Sequence, residues 1–170
     1  MSLDRSLFRL LSAALCAFAV QAQAAPRPSL TEPALSPDGA EIAFVSGGDI
    51  WTVPAAGGVA SLLVTDAATE GRPQYSPDGR ELAFTSNRAG AANLYVLTLA
   101  TGKLRRLTVS DTNETLDGWS RDGRWLYFSS GVNDVARISD VFRVPAAGGT
   151  PLEVSRERYL AEFQSAPSPD

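Results

Sequence analysis

A Ser-Pro-Asp-Gly turn that returns at intervals of 40, 44 and 48 residues, an alternating apolar segment after the turn, and a six-residue loop that recurs letter for letter predict an all-β chain. The unit they outline is a four-stranded antiparallel sheet, and a tandem of such sheets at this spacing reads as the blades of a β-propeller. A two-sheet sandwich also has short strands, but it has no reason to repeat its turns and aromatics in register.

The elements follow in chain order. Residues 1–24 read as a secretory signal peptide rather than as part of the fold. Arg5 and Arg9 outweigh Asp4, Leu10 to Val20 is apolar, and Ala22-Gln23-Ala24 offers a small-x-small cleavage site just before Pro26. That apolar run is shorter than the ~20 residues that span a bilayer. Leu15 precedes Cys16 where a lipid anchor needs a small residue, so no lipoprotein is expected. The remainder, 25–170, has no cysteine, which suits a periplasmic or secreted protein without disulfides.

Each repeat then opens with a short strand ending at the turn: Ser36-Pro37-Asp38-Gly39, Ser76-Pro77-Asp78-Gly79, and Ser120-Arg121-Asp122-Gly123. Gly accepts the positive φ of a two-residue hairpin, Asp tolerates it, and Pro enters the turn already bent. A second strand follows each turn, with period-2 alternation placing Ile42 and Phe44 on one face and Leu82/Phe84 and Leu126/Phe128 in equivalent places. The third strands are Asp49–Val53, Asn93–Leu97 and Asp140–Val144, and the fourth are Ser61–Val64, Leu104–Thr108 and Pro151–Val154. The loop Val53-Pro54-Ala55-Ala56-Gly57-Gly58 returns unchanged at 144–149. Ser168-Pro169-Asp170 begins the motif once more. The expectation is about three blades plus the start of a fourth, whereas closed propellers have roughly four to eight. The ring is therefore expected to be incomplete, an N-terminal piece of a longer chain, with two open blade faces that favour self-association.

Composition excludes whole classes of chemistry. The 170 residues contain no His and one Cys, so a Ser-His-Asp triad, a Cys-His dyad and imidazole metal sites are absent from this sequence. A net charge of −4 and a pI near 4.9 argue against nucleic acid as a partner. With 44% hydrophobic residues and a mean hydropathy of −0.05, the chain reads as neither disordered nor membrane-spanning.

The segments 35–44 (LSPDGAEIAF) and 75–84 (YSPDGRELAF) resemble the WD40-like repeats of TolB-type propellers. More narrowly, 47–58 (GGDIWTVPAAGG), 120–128 (SRDGRWLYF) and 166–170 (APSPD) resemble the N-terminal propeller of secreted tricorn-like serine peptidases. That resemblance implies a non-catalytic propeller that guides or filters peptides ahead of a C-terminal peptidase module. Alternatives are a stand-alone TolB-like module that binds envelope proteins, and a propeller attached to an amidohydrolase or prolyl-oligopeptidase-type module. Repeats of this kind specify a fold far better than a function.

No catalytic, cofactor-binding or metal-binding residue is assigned. Asp38, Asp78 and Asp122 read as turn acceptors rather than calcium ligands, since no D-x-D-x-D-G loop accompanies them. The aromatics Phe44/Phe84/Phe128 and Trp51/Tyr95/Phe142 share repeat positions and read as packing between blades. Trp119, Trp125 and Tyr127 break the pattern and are the candidates for stacking on a peptide. Lys103, the lone lysine, reads as a solvated loop residue, and Thr101-Gly102-Lys103 lacks the upstream glycine of a phosphate loop. Arg105-Arg106 and Arg156-Glu157-Arg158 read first as solvated charge and second as carboxylate contacts. Asn113-Glu114-Thr115 matches a glycosylation pattern, which carries little weight in a chain expected to be bacterial. The loops Gly47-Gly48, Asn87 to Ala92 and Gly131 to Ser139 are the expected contact regions, because loops vary without disturbing the blade.

Overall fold

The computed structural model describes residues 29–132 and 139–155. The expected leader, residues 133–138 of the third contact loop, the Arg156–Arg158 cluster and the Ser168 start of a further repeat lie outside the described residues. Among the described residues there is no helix. Twelve strands form three four-stranded antiparallel sheets in an open, unclosed ring.

The first blade is β1 (Thr31–Leu35), β2 (Glu41–Ser46), β3 (Asp49–Pro54) and β4 (Ser61–Val64). The second is β5 (Glu70–Tyr75), β6 (Glu81–Ser86), β7 (Asn93–Thr98) and β8 (Lys103–Arg106). The third is β9 (Glu114–Trp119), β10 (Trp125–Ser130), β11 (Asp140–Pro145) and β12 (Leu152–Ser155). Each strand pairs with the next in sequence, so every blade is a simple meander. The first strands of successive blades meet (β1 with β5, β5 with β9), which makes them the inner wall, while β4, β8 and β12 form the exposed outer edges.

Register puts the expected residues together. Phe44 pairs with Trp51, Phe84 with Tyr95 and Phe128 with Phe142 across the two middle strands. The rings of Phe84–Tyr95 and Phe128–Phe142 stack with centroids 5.9 and 5.5 Å apart. One core lies between the first two blades, where Ala43, Val45 and Ile50 receive Leu82, Phe84 and Tyr95. The other lies between the second and third, where Ala83, Leu94 and Val96 receive Leu126, Phe128 and Phe142. The alternation that singled out Leu82 and Phe84 thus describes one face of the middle blade. Its Ala83 face is equally dry, because this blade has a neighbour on both sides. Small alanines at 43 and 83 leave room for the phenylalanine of the following blade.

The repeated turn is a closed hydrogen-bonded unit. In each copy the Ser hydroxyl donates to the Asp carboxylate two residues on, at 2.6 to 2.7 Å, and accepts the N–H of the residue opening the next strand at 2.9 Å. The same carboxylate accepts the N–H of Ala40, Arg80 or Arg124. Gly39, Gly79 and Gly123 all have φ near +70°, a region costly for any other residue. Ser76 is buried, so Ser76→Ala leaves the Glu81 N–H without its acceptor. We expect a loss of about 1–2 kcal/mol in urea unfolding, with an unchanged midpoint ruling out this bracing role.

Candidate functional site

Three regions place side chains where a ligand could meet them. At the turn end, clefts open between neighbouring blades. One of about 420 Å³ lies between the Ser36–Ala40 and Pro77–Gly79 turns, with Glu41 and Tyr75 in its wall. Another, of about 300 Å³, is bounded by Asp78, Glu81, Trp119, Arg121 and Asp122. The Tyr75 hydroxyl donates to Glu41 at 2.7 Å, and burial together with that bond raises the tyrosine well above its ordinary value. Hydrogen bonds from Ser120, then from Arg124, hold the Asp122 carboxyl down to about 2, and those from Ser36 and Ser76 lower Asp38 and Asp78. The Asp122 carboxylate therefore remains ionised in all but strong acid.

At the opposite end, the hairpins between the second and third strands are fastened to the connectors between blades. Glu70 N–H donates to the Gly48 carbonyl, Thr69 and Asn87 exchange hydrogen bonds, and the Ala92 N–H reaches the Asn113 side chain at 2.9 Å. Arg88, beyond β6, is the most densely held group there. Its guanidinium bonds Glu70 at 2.7 Å and the Ser86 hydroxyl at 2.9 Å, lies 3.8 Å from Asp66, and covers the rings of Tyr95 and Phe84 at 5.1 and 5.7 Å. The Glu70 side chain is completely buried; its Oε1 accepts from Arg88 and, at 3.2 Å, from the Ser86 hydroxyl, and its Oε2 is unbonded. Burial raises the Glu70 carboxyl above its ordinary value, and Arg88 opposes that rise.

Along the inner wall, Glu32 and Arg72 hold the same position in β1 and β5, each directly before a proline and each in the left-handed region, with φ of 52° and 51°. Bulges interrupt the pairing at both places. The Glu32 carboxylate accepts the Arg72 N–H, and the Arg72 side chain donates from Nε to the Leu116 carbonyl at 2.6 Å, so the three inner strands are tied in series. Gly71 permits the first link: a Cβ there would lie 3.3 Å from Glu32 Oε2. A cleft of about 220 Å³ adjoins, lined by Glu32, Pro33, Arg72, Pro73 and Gln74. Among the described residues no cluster of His, Cys, Asp and Glu could hold a metal ion.

A sequence model described as the tricorn protease N-terminal β-propeller domain matches residues 27–166. The chain belongs to that family. Tricorn protease homolog 1 of Streptomyces coelicolor is 35% identical over 114 residues, covering 66% of this chain and 11% of that protein. A putative TolB from Agrobacterium tumefaciens superposes with a TM-score of 0.71 at 25% identity, over 82% of this chain and 51% of that one. A tricorn protease structure gives 0.60 at 23% identity, over 69% of this chain and 12% of its own, and supports the fold. This tricorn-type propeller thus spans a small part of the proteases it resembles.

The structure separates residues that looked alike in sequence. Trp119 is tied into the seam between the second and third blades, its indole N–H donating to the Gln74 carbonyl at 3.0 Å. Trp125 lies beneath the Arg143 guanidinium at 4.4 Å, with half-buried Tyr127 on the same face. Lys103 is exposed at the start of β8. Arg105, read first as solvated, is a half-buried clamp that bonds Glu81 at 2.7 Å and the Ala146 carbonyl at 2.9 Å. Arg106 bonds Asn93 and the Thr108 carbonyl. In the tripeptide 113–115, Asn113 holds the Ala92 N–H and Glu114 is buried. Glu70, Glu114, Arg88 and the Glu32–Arg72 pair escaped the sequence reading. The one available signal was a glutamate six residues before the turn serine in two copies, Glu70 and Glu114.

Among the described residues no helix is long and apolar enough to cross a membrane.

Proposed function

We propose that this chain is the non-catalytic propeller of an exported tricorn-like serine peptidase, and that it guides peptides toward a catalytic module encoded beyond Asp170. Membership of the tricorn N-terminal propeller family carries this reading. The fold supports it in two ways. Its hairpins and connectors are cross-tied into a rigid frame, and the sequence has no His to serve a serine nucleophile. The serine-aspartate turns act as braces of that frame, residues 1–24 act as its export signal, and 25–170 act as the partial propeller. No cofactor enters this reading.

Extending the chain through its downstream reading frame is expected to give peptide hydrolysis, and the 170-residue chain alone none. Turnover by the purified chain alone, or a frame that encodes no peptidase, would overturn the assignment. N-terminal sequencing of exported material should find Ala25 first. A second reading, a TolB-like module that docks proteins of the cell envelope, is favoured by the TM-score of 0.71 with the putative TolB. A frame that stops once the ring closes would support it.

A further inference from the structure

Glu70 and Glu114 occupy one repeat position. Each opens an inner strand, each is buried, and each stands where a connector between blades ends. Their partners differ. Glu70 has the Arg88 guanidinium at 2.7 Å, whereas among the described residues no ion pair reaches Glu114. A hydroxyl takes the cation's place. Thr108, in the connector 107–113 between the second and third blades, donates to the Glu114 carboxylate and accepts the Leu94 N–H at 2.9 Å. Leu107 N–H bonds the Leu94 carbonyl and Glu114 N–H the Ala92 carbonyl, so the connector is pinned at both ends around one carboxyl.

Charged groups are carried on several elements around it: Arg106 on β8, Asp111 on the connector, Asp140 on β11, and Glu70 and Arg72 on β5. Arg106 favours the charged form of Glu114, but its guanidinium is engaged by Asn93 and the Thr108 carbonyl. An anion buried with hydrogen bonds alone is costly, and water stabilises it better than this seam does.

We propose that the connector 107–113 is an acid-closed latch between the second and third blades, with the Glu114 carboxyl as its catch. Burial lifts that carboxyl from 4.5 to about 7. The closed latch therefore binds the proton more tightly than the open one, in which the group is hydrated. Closure is fully favoured below the ordinary carboxylate value, and the advantage is lost as pH rises through about 7. Opening should increase roughly 30-fold between about pH 5.5 and about pH 8. The Glu70 seam, where Arg88 opposes the rise that burial causes, is the built-in comparison.

Amide hydrogen exchange on the whole chain tests this, corrected for the intrinsic rate at each pH. Protection at Leu94, Leu107 and Glu114 is expected to fall by roughly that factor from the acid to the alkaline condition. Protection at Glu70, where Arg88 opposes the rise, should fall less, and Glu114→Gln should abolish the dependence at the connector. Protection that ignores pH, or a pH dependence that survives Glu114→Gln, would overturn the latch. If the variant fails to fold, a carboxyl carbon NMR titration of the unaltered chain decides. A Glu114 midpoint near 7 sustains the proposal, and one in the ordinary carboxylate range ends it.

Discussion

Phe84→Ala is expected to lower the stability of the chain by about 3–5 kcal/mol, the range for emptying a fully buried aromatic site. Phe84 has no exposure, stacks on Tyr95, lies beneath Arg88, and belongs to the core that joins the first two blades. Collapse into the space is hindered because Ala43, opposite in the core, is already small. Urea unfolding measures the effect. Leu62→Ala on the outer strand β4 serves as the contrast, since Leu62 is 46% exposed and should lose less than about 1 kcal/mol. Equal losses at the two positions would mean that the blades do not share a packed interface.

Arg88→Met should cost a similar amount near neutral pH, about 3 kcal/mol, by another route. Methionine keeps much of the apolar cover over Phe84 and Tyr95 but strands the Glu70 carboxylate in a dry seam. The loss should then depend on pH. Without Arg88 the Glu70 carboxyl, already raised by burial, rises further, so stability is retained in acid and lost as pH increases. Adding Glu70→Gln should restore most of the loss at neutral pH and remove its pH dependence. A double variant no better than Arg88→Met would show that packing of the guanidinium over the rings, not charge pairing, is what the site requires.

The architecture was legible in the sequence where chemistry repeats. Asp-Gly turns, alternating apolar strands and the Phe84–Tyr95 and Phe128–Phe142 pairs are local patterns copied from blade to blade, and strand geometry turns them directly into register. It was hidden where the deciding contact joins residues far apart in sequence. Glu70 meets Arg88 across 18 residues and Arg72 meets Leu116 across 44, separations at which polarity is a poor guide to burial. Arg105 looked like solvated charge for the same reason: its partners, Glu81 and the Ala146 carbonyl, lie 24 and 41 residues away. Glu114 stood inside a glycosylation-like tripeptide, which drew the eye to Asn113 rather than to the buried acid beside it.

The proline-bearing bulges of the inner wall carry a consequence for anything that passes along it. A strand at the rim of a sheet ordinarily invites a visiting backbone to zip on. Pro33 and Pro73 have no N–H to offer, and the left-handed kinks at Glu32 and Arg72 break the spacing such pairing requires. A threaded polypeptide would find no regular template for annealing along β1 or β5. Along these two strands transit is favoured over capture.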